Sequence, residues 1–348
     1  MRRAEFPNPE EQCPDLRAGR QAATQAAPPT PLSTPAPPPA AEIEPELEAG
    51  RFWSGFALGA EEAGALLWAP ETRLFTLMGG RDRGKTCWLT AAYILLANGF
   101  TDGFPYRFCG SRSLHGFQRL SDPAFKWSGP HDRILPRTTQ ASLRQPSFLH
   151  LAFKPRSYSV KRTTHVLLTD MPGEWFQNWA DDGSRALPET LEFLPRTDGF
   201  LLAVDAQQAV ADRAYRKDVR YLLDRTVALA QHSQAVRRPI AIVLTKYDAI
   251  VKKVPVPSLT SRKDPAAWGP LEPSLRSLVT ALGDLPSGTP WDIFPTAAFS
   301  RPAAQPVGVL APLAFLLDTT TRPMPLEPRS APREYRGDFF EVFRSEGL

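Results

Sequence analysis

From Leu74 onward the chain alternates two textures: short apolar runs, and longer stretches whose apolar residues recur every three or four positions. The runs Leu74–Met78, Phe148–Phe153, His165–Thr169, Phe200–Val204, Ile240–Leu244 and Ile293–Thr296 predict strands. Most are nearly continuous in apolar residues, as strands buried on both faces must be. Lys85–Asn98, Leu275–Leu282 and Leu310–Leu317 read as helices, and Tyr215, Val219, Leu222, Leu223, Val227 and Ala230 recur at helical spacing. This alternation predicts an α/β protein, a three-layer sandwich on a mostly parallel sheet. The short connection "KPRSYSVKRTT" joins Phe148–Phe153 to His165–Thr169 and suits a hairpin, which adds one antiparallel strand. The sequence contains no internal repeat.

Ahead of the first strand the texture differs. Of 37 prolines in 348 residues, eleven fall before residue 51, in a stretch that includes "APPTPLSTPAPPPAAEIEPELEAG". Such a segment cannot bury enough apolar area to offset its ordering entropy, so residues 1–50 are expected to form a disordered or polyproline-like tail. Residues 51–73 read as an irregular or helical lead-in packed on the core, 74–322 as the main domain, and 323–348 as a C-terminal extension. Net charge is only +4 with no block of basic residues, so no nucleic-acid partner is expected. Three cysteines and five histidines without ligand spacing argue against a disulfide framework or a zinc site. The N-terminus lacks a signal peptide's apolar core, and Cys87–Ala97 is too short to span a bilayer. The expectation is a cytoplasmic protein with no membrane segment.

Chemistry enters with "LFTLMGGRDRGKTCW". Gly79, Gly84, Lys85 and Thr86 fill the positions of G-x-x-x-x-G-K-[ST], between a predicted strand and a predicted helix. The segment from Gly79 through Gly80, Arg81, Asp82, Arg83, Gly84, Lys85 and Thr86 to Cys87 is a candidate phosphate loop. Its amides can curl around phosphate oxygens at a helix N-terminus. Lys85 would meet the β- and γ-phosphates, and the Thr86 hydroxyl would bind Mg²⁺. A second motif, "VLTKYD", ends the strand Ile240–Leu244 with Thr245, Lys246 and Asp248. The carboxylate of Asp248 can accept from both N1–H and N2–H₂ of guanine, whereas adenine would leave it desolvated and unpaired. The Lys246 stem can lie along the base. Between the two, "DMPG" places Asp170 and Gly173 at a strand end. That pattern arises about once by chance in a chain this long, so only its place in the order makes it informative. It would supply Asp170 to hold Mg²⁺ through water and the Gly173 N–H to sense a γ-phosphate.

With "GGRDRGKT", "DMPG" and "TKYD" in this order, the chain resembles the translation-factor-like and Ras-like class of P-loop GTPases over roughly residues 74–320. The resemblance implies a P-loop NTPase sandwich, GTP and GDP as substrate and product, and Mg²⁺ as cofactor. It also implies a fourth motif, Thr296–Ala297 in "FPTAAFS", whose backbone would touch guanine. The wording "DMPGEWF" and the large insertion before it look like the bacterial double-GTPase families, which are predicted to work in multi-protein or conflict-related systems.

Three departures stand out. Glu174 occupies a position where many Ras-like enzymes carry a glutamine that orients water, and a carboxylate there repels phosphate unless a cation compensates. Thr245 replaces an asparagine and would brace the loop. The first-switch threonine would be Thr138 or Thr139, with Thr139 taken as a metal and catalytic group, more than fifty residues after Lys85. Arg137 beside it reads either as a cis arginine finger or as a solvated loop residue. Arg81 and Arg83 carry the same two readings, with solvation favoured. Trp175, Phe176 and Trp179 read as an effector surface or as core anchors.

The function expected is therefore Mg²⁺-dependent GTP binding and slow hydrolysis, a switch acting on a protein effector that the sequence does not name. Two alternatives stay open: a P-loop ATPase using Asp205 as its acid, and a non-hydrolysing interaction module.

Overall fold

The computed structural model describes residues 55–126, 135, 145–156, 163–182, 187–231, 237–300 and 305–320. The chain divides into two units, Met1–Arg51 and Phe52–Leu348. The first, with the proline-rich tail, lies outside the described residues, as does the extension 323–348. In chain order the second unit carries α1 (Ala60–Leu67), β1 (Thr72–Met78), α2 (Lys85–Ala97), β2 (Tyr106–Gly110) and α3 (Leu114–Phe125). The central part is β3 (Phe148–Pro155), β4 (Thr164–Thr169), α4 (Gly173–Asp181), β5 (Gly199–Asp205), α5 (Ala206–Ala211) and α6 (Arg213–Gln231). It closes with β6 (Ile240–Thr245), α7 (Glu272–Leu282), β7 (Trp291–Pro295) and α8 (Ala311–Thr319).

The strands form one sheet in the order β2-β3-β4-β1-β5-β6-β7. Strands β4, β1, β5, β6 and β7 pair in parallel. Strand β3 is antiparallel to both neighbours, so it alone runs against the rest. The mostly parallel sheet with one antiparallel hairpin strand is thus observed.

Side-chain alternation builds two cores. Leu74, Met78, Phe200, Leu202, Val204, Ile240, Ile242 and Leu244 face one side, packed with α4, α6 and α7. Phe75, Leu77, Leu201, Ala203, Ala241 and Val243 face the other, under α2, α3 and α8. Because helices cover both faces, consecutive strand residues are all buried, which is why the runs read as continuous apolar stretches. Each fully buried Leu, Ile or Phe contributes roughly 1.5–3 kcal/mol. The lead-in is helical, and Leu58, Ala63, Leu66 and Leu67 anchor it in the first core.

Elements β2, α3, α4 and α5 lie beyond the expected set. Strand β2 is a sheet edge of alternating burial, with a register shift between Phe108 and Gly110. Helix α3 contains Gly116 and Pro123, residues that oppose helix formation. Packing holds it: a side chain at Gly116 would press on Leu149 and the backbone of Ala57, while Phe117 is fully buried.

Candidate functional site

The loop between β1 and α2 is built around Gly84, whose φ of +79° caps α2 in a conformation that L side chains resist. Asp82 also takes a positive φ, 59°, tolerated more readily by Asp than by most residues. Lys85, 7% exposed, donates to the carbonyls of Gly79 at 2.8 Å and Gly80 at 2.9 Å. Burial pushes its ammonium down to about 8, against the pull of the Asp170 and Glu174 carboxylates. The side chain is thus folded back along the loop. Cys87 is a free, half-buried thiol that burial pushes up to about 11, which keeps it protonated and unreactive.

Beside the loop, the end of β4 continues the sheet through a side chain. After the last β1–β4 pair, Phe75 with Leu168, the Leu77 N–H donates to Thr169 Oγ1 at 2.9 Å. This carries Asp170 to the loop, where its Oδ1 accepts from Thr86 Oγ1 at 2.9 Å. Gly173 opens α4 and rests on the loop: an added Cβ would overlap the Gly80 carbonyl and the Arg81 nitrogen. Glu174 follows, with Oε1 3.6 Å from Arg81 Nε and Oε2 buried without a hydrogen-bond partner. Among the described residues no group of three or more His, Cys, Asp or Glu gathers at one point, so a cage made wholly of protein ligands is absent there. A hydroxyl and a carboxylate in contact next to a phosphate loop nevertheless suit Mg²⁺, which takes few protein oxygens and completes its shell with water and phosphate.

On the other flank β6 delivers the third motif. Thr245 Oγ1 donates to the Arg83 carbonyl at 2.8 Å. Lys246, at φ 53°, donates to the Asp82 carbonyl at 3.0 Å and to Asp205 Oδ2 at 2.7 Å. Both residues therefore clasp the phosphate loop. Asp205 is 1% exposed, and its other oxygen accepts from the Gln208 N–H, capping α5. Asp248 lies at the surface, two residues beyond Lys246, where partial desolvation still raises its carboxyl. Thr296 is buried and tied to β6, its N–H donating to the Leu244 carbonyl at 2.8 Å. The Ala297 N–H donates to the Val307 carbonyl at 3.0 Å. That amide, part of the expected fourth motif, is bonded within the protein in this structure.

Corrections concern neighbouring side chains. Arg83 is not solvated: its guanidinium lies 3.8 Å from the Tyr215 ring centroid and bonds Gln208. Arg81 is half exposed and faces Glu174. Both oxygens of Asp205, the acid invoked for an ATPase, are used by Lys246 and the α5 cap. Trp175, Phe176 and Trp179 are buried in the first core at 6%, 0% and 3% exposure, so they anchor α4 rather than form a surface. Sequence reasoning missed the Asp205–Lys246 and Arg83–Tyr215 contacts, because no local signal pairs residues more than forty or a hundred and thirty positions apart; for Asp205 the one local cue was an acid before a helix start. Arg137, Thr138 and Thr139 lie outside the described residues.

Among the described residues no helix is long and apolar enough to cross a membrane. No curated protein matches the chain. The Arl6 BBS3 small GTPase of Trypanosoma brucei, solved with a bound nucleotide analogue, is similar at 13% identity and a TM-score of 0.37. That match covers 72% of this chain and 97% of the other. The S. cerevisiae Ski7 GTPase-like domain bound to GDP and inorganic phosphate is similar at 14% identity and a TM-score of 0.38. Bound to GTP, the same domain matches at 12% and 0.39. Both Ski7 matches cover 81% of this chain and 50% of the other, so the chain spans half the length of those relatives. A family model described as Double-GTPase 2 matches residues 73–271, more than half of the chain and all of the loop, the Asp170–Gly173 segment and the Thr245–Asp248 motif. The chain belongs to the Double-GTPase 2 family.

Proposed function

We propose that the chain binds GTP with Mg²⁺ in residues 74–322, hydrolyses it slowly, and acts as a nucleotide-dependent switch on a protein effector in a multi-protein system. One observation carries this reading: Thr245 and Lys246 grip the carbonyls of Arg83 and Asp82 at 2.8 and 3.0 Å. The guanine-type motif is thereby joined to the phosphate loop, and Asp248 is held at the rim where a base attached to bound phosphates would lie. Gly79, Gly80, Gly84 and Lys85 form the phosphate cradle, with Asp248 as the guanine acceptor. Thr86 and Asp170 would hold Mg²⁺, which neutralises charge on the phosphates when bound.

The ATPase alternative loses support because Asp205 is engaged on both oxygens, while Asp170 contacts Thr86. The non-hydrolysing alternative keeps one specific observation, the acidic Glu174 beside the loop. Calorimetric titration with Mg²⁺ and non-hydrolysable GTP and ATP analogues tests the main reading. GTP should bind at least about 100-fold more tightly, and equal affinities would refute a guanine site. Single-turnover phosphate release above background separates enzyme from module.

A further inference from the structure

Among the described residues, four cationic side chains lie at the loop, and three are committed. Lys85 is held by the Gly79 and Gly80 carbonyls, Arg83 by Tyr215 and Gln208, and Lys246 by Asp205 and the Asp82 carbonyl. Arg81 is the remaining one, and it faces Glu174 at 3.6 Å. The pairing follows from the backbone. Gly173 lies so close to Gly80 and Arg81 that a Cβ there would overlap them, so side chains leaving Arg81 and Glu174 emerge from touching segments. Glu174 keeps one buried oxygen without a hydrogen bond, a costly arrangement in a finished interior. Its side chain is 25% exposed and that of Arg81 51%, so both can still reach an arriving ligand.

We infer that Arg81 is the counter-cation of Glu174, and that this pair sets the preference of the site between nucleoside triphosphate and diphosphate. The inference rests on the GTP-binding reading above. A lone carboxylate next to Gly173 would repel the extra charge of a γ-phosphate and leave a diphosphate almost untouched. Neutralised by Arg81, the carboxylate no longer penalises the triphosphate. The guanidinium carries several N–H donors in a rigid fork, so it can hold the carboxylate in one orientation. Arg81 is thus a positioning and specificity residue whose effect passes through Glu174.

The test is a set of calorimetric titrations of Mg²⁺ with GDP and with a non-hydrolysable GTP analogue. The proteins are the wild type, Arg81→Ala, Arg81→Lys, Glu174→Gln and the double variant Arg81→Ala/Glu174→Gln. Arg81→Ala should lower the ratio of triphosphate to diphosphate affinity about tenfold, with GDP affinity little changed. Arg81→Lys should keep most of the wild-type ratio, and adding Glu174→Gln to Arg81→Ala should restore it. A purely structural role would lower both affinities together and would not be rescued at Glu174. Equal losses for both nucleotides, or a double variant no better than Arg81→Ala, would overturn the inference alone. A wild-type chain that binds neither guanine nucleotide would remove the GTP-binding reading, and this inference with it.

Discussion

Lys85, buried and held by two loop carbonyls, carries a desolvated ammonium that costs the fold something even before a ligand arrives. Lys85→Met should therefore abolish nucleotide binding in calorimetry yet leave the melting temperature within about 3 °C of wild type. Gly173 is the opposite case, since its missing Cβ is what lets α4 approach the loop. Gly173→Ala should destabilise by roughly 1–3 kcal/mol in denaturant unfolding, as overpacking does. His150 supplies the pH dependence. It is 2% exposed; its Nδ1 accepts from the Arg112 N–H, so the ring proton sits on Nε2 and points at His165 Nδ1, 2.9 Å away. Burial, then His165 and Arg112, push His150 down to about 3. A histidine with a depressed folded pKa contributes full stability above its unfolded value, about 6.5, and loses it as pH falls toward 3. The wild type should lose roughly 2 kcal/mol between pH 7.5 and pH 5 from this group. His150→Gln should flatten that loss, and an unchanged slope would show that other groups carry it. The sequence showed Lys85 and Gly173 through their motifs. It showed nothing of His150, whose partners lie on another strand and in the turn after β2.

At the scale of elements, α4 joins site and core. Gly173 and Glu174 face the loop, while Phe176 is fully buried in the first core. Phe176→Ala should cost about 3–5 kcal/mol by equilibrium unfolding, and a loss under 1 kcal/mol would mean that α4 is not anchored as described. Parallel strands were legible because burial on both faces makes them uniformly apolar, and α6 because its buried residues recur at helical spacing. Strand β2 and helix α3 were not, since "YRFCG" is a short half-exposed edge and α3 carries Gly116 and Pro123. Their stability comes from the hairpin and α2 packed against them, not from propensity.

For the whole molecule, ligand and fold should be thermodynamically linked. Any ligand that binds only the native state stabilises it, by about 2.7 kcal/mol at a hundred times its dissociation constant. GTP with Mg²⁺ should raise the melting temperature in a thermal scan, ATP should not, and Asp248→Asn should narrow the gap between them. The sheet order places β1, β5 and β6 side by side. The loop after β1 and the Thr245–Asp248 segment after β6 therefore lie at one edge, each at a strand's carboxyl end.

The sequence by itself determined the class of fold and the identity of the motifs, because strand burial and loop chemistry are written in residues close together along the chain. The tertiary structure alone decided what each charged side chain near the loop is doing. Arg83 is stacked on Tyr215, Asp205 is locked to Lys246, the Ala297 amide is bonded to Val307, and Arg81 is left facing Glu174. The physical reason is range. Hydrophobic periodicity is a local property, whereas an ion pair or a shared amide depends on which distant segments the sheet brings within 3–4 Å, and no spacing along the chain encodes that.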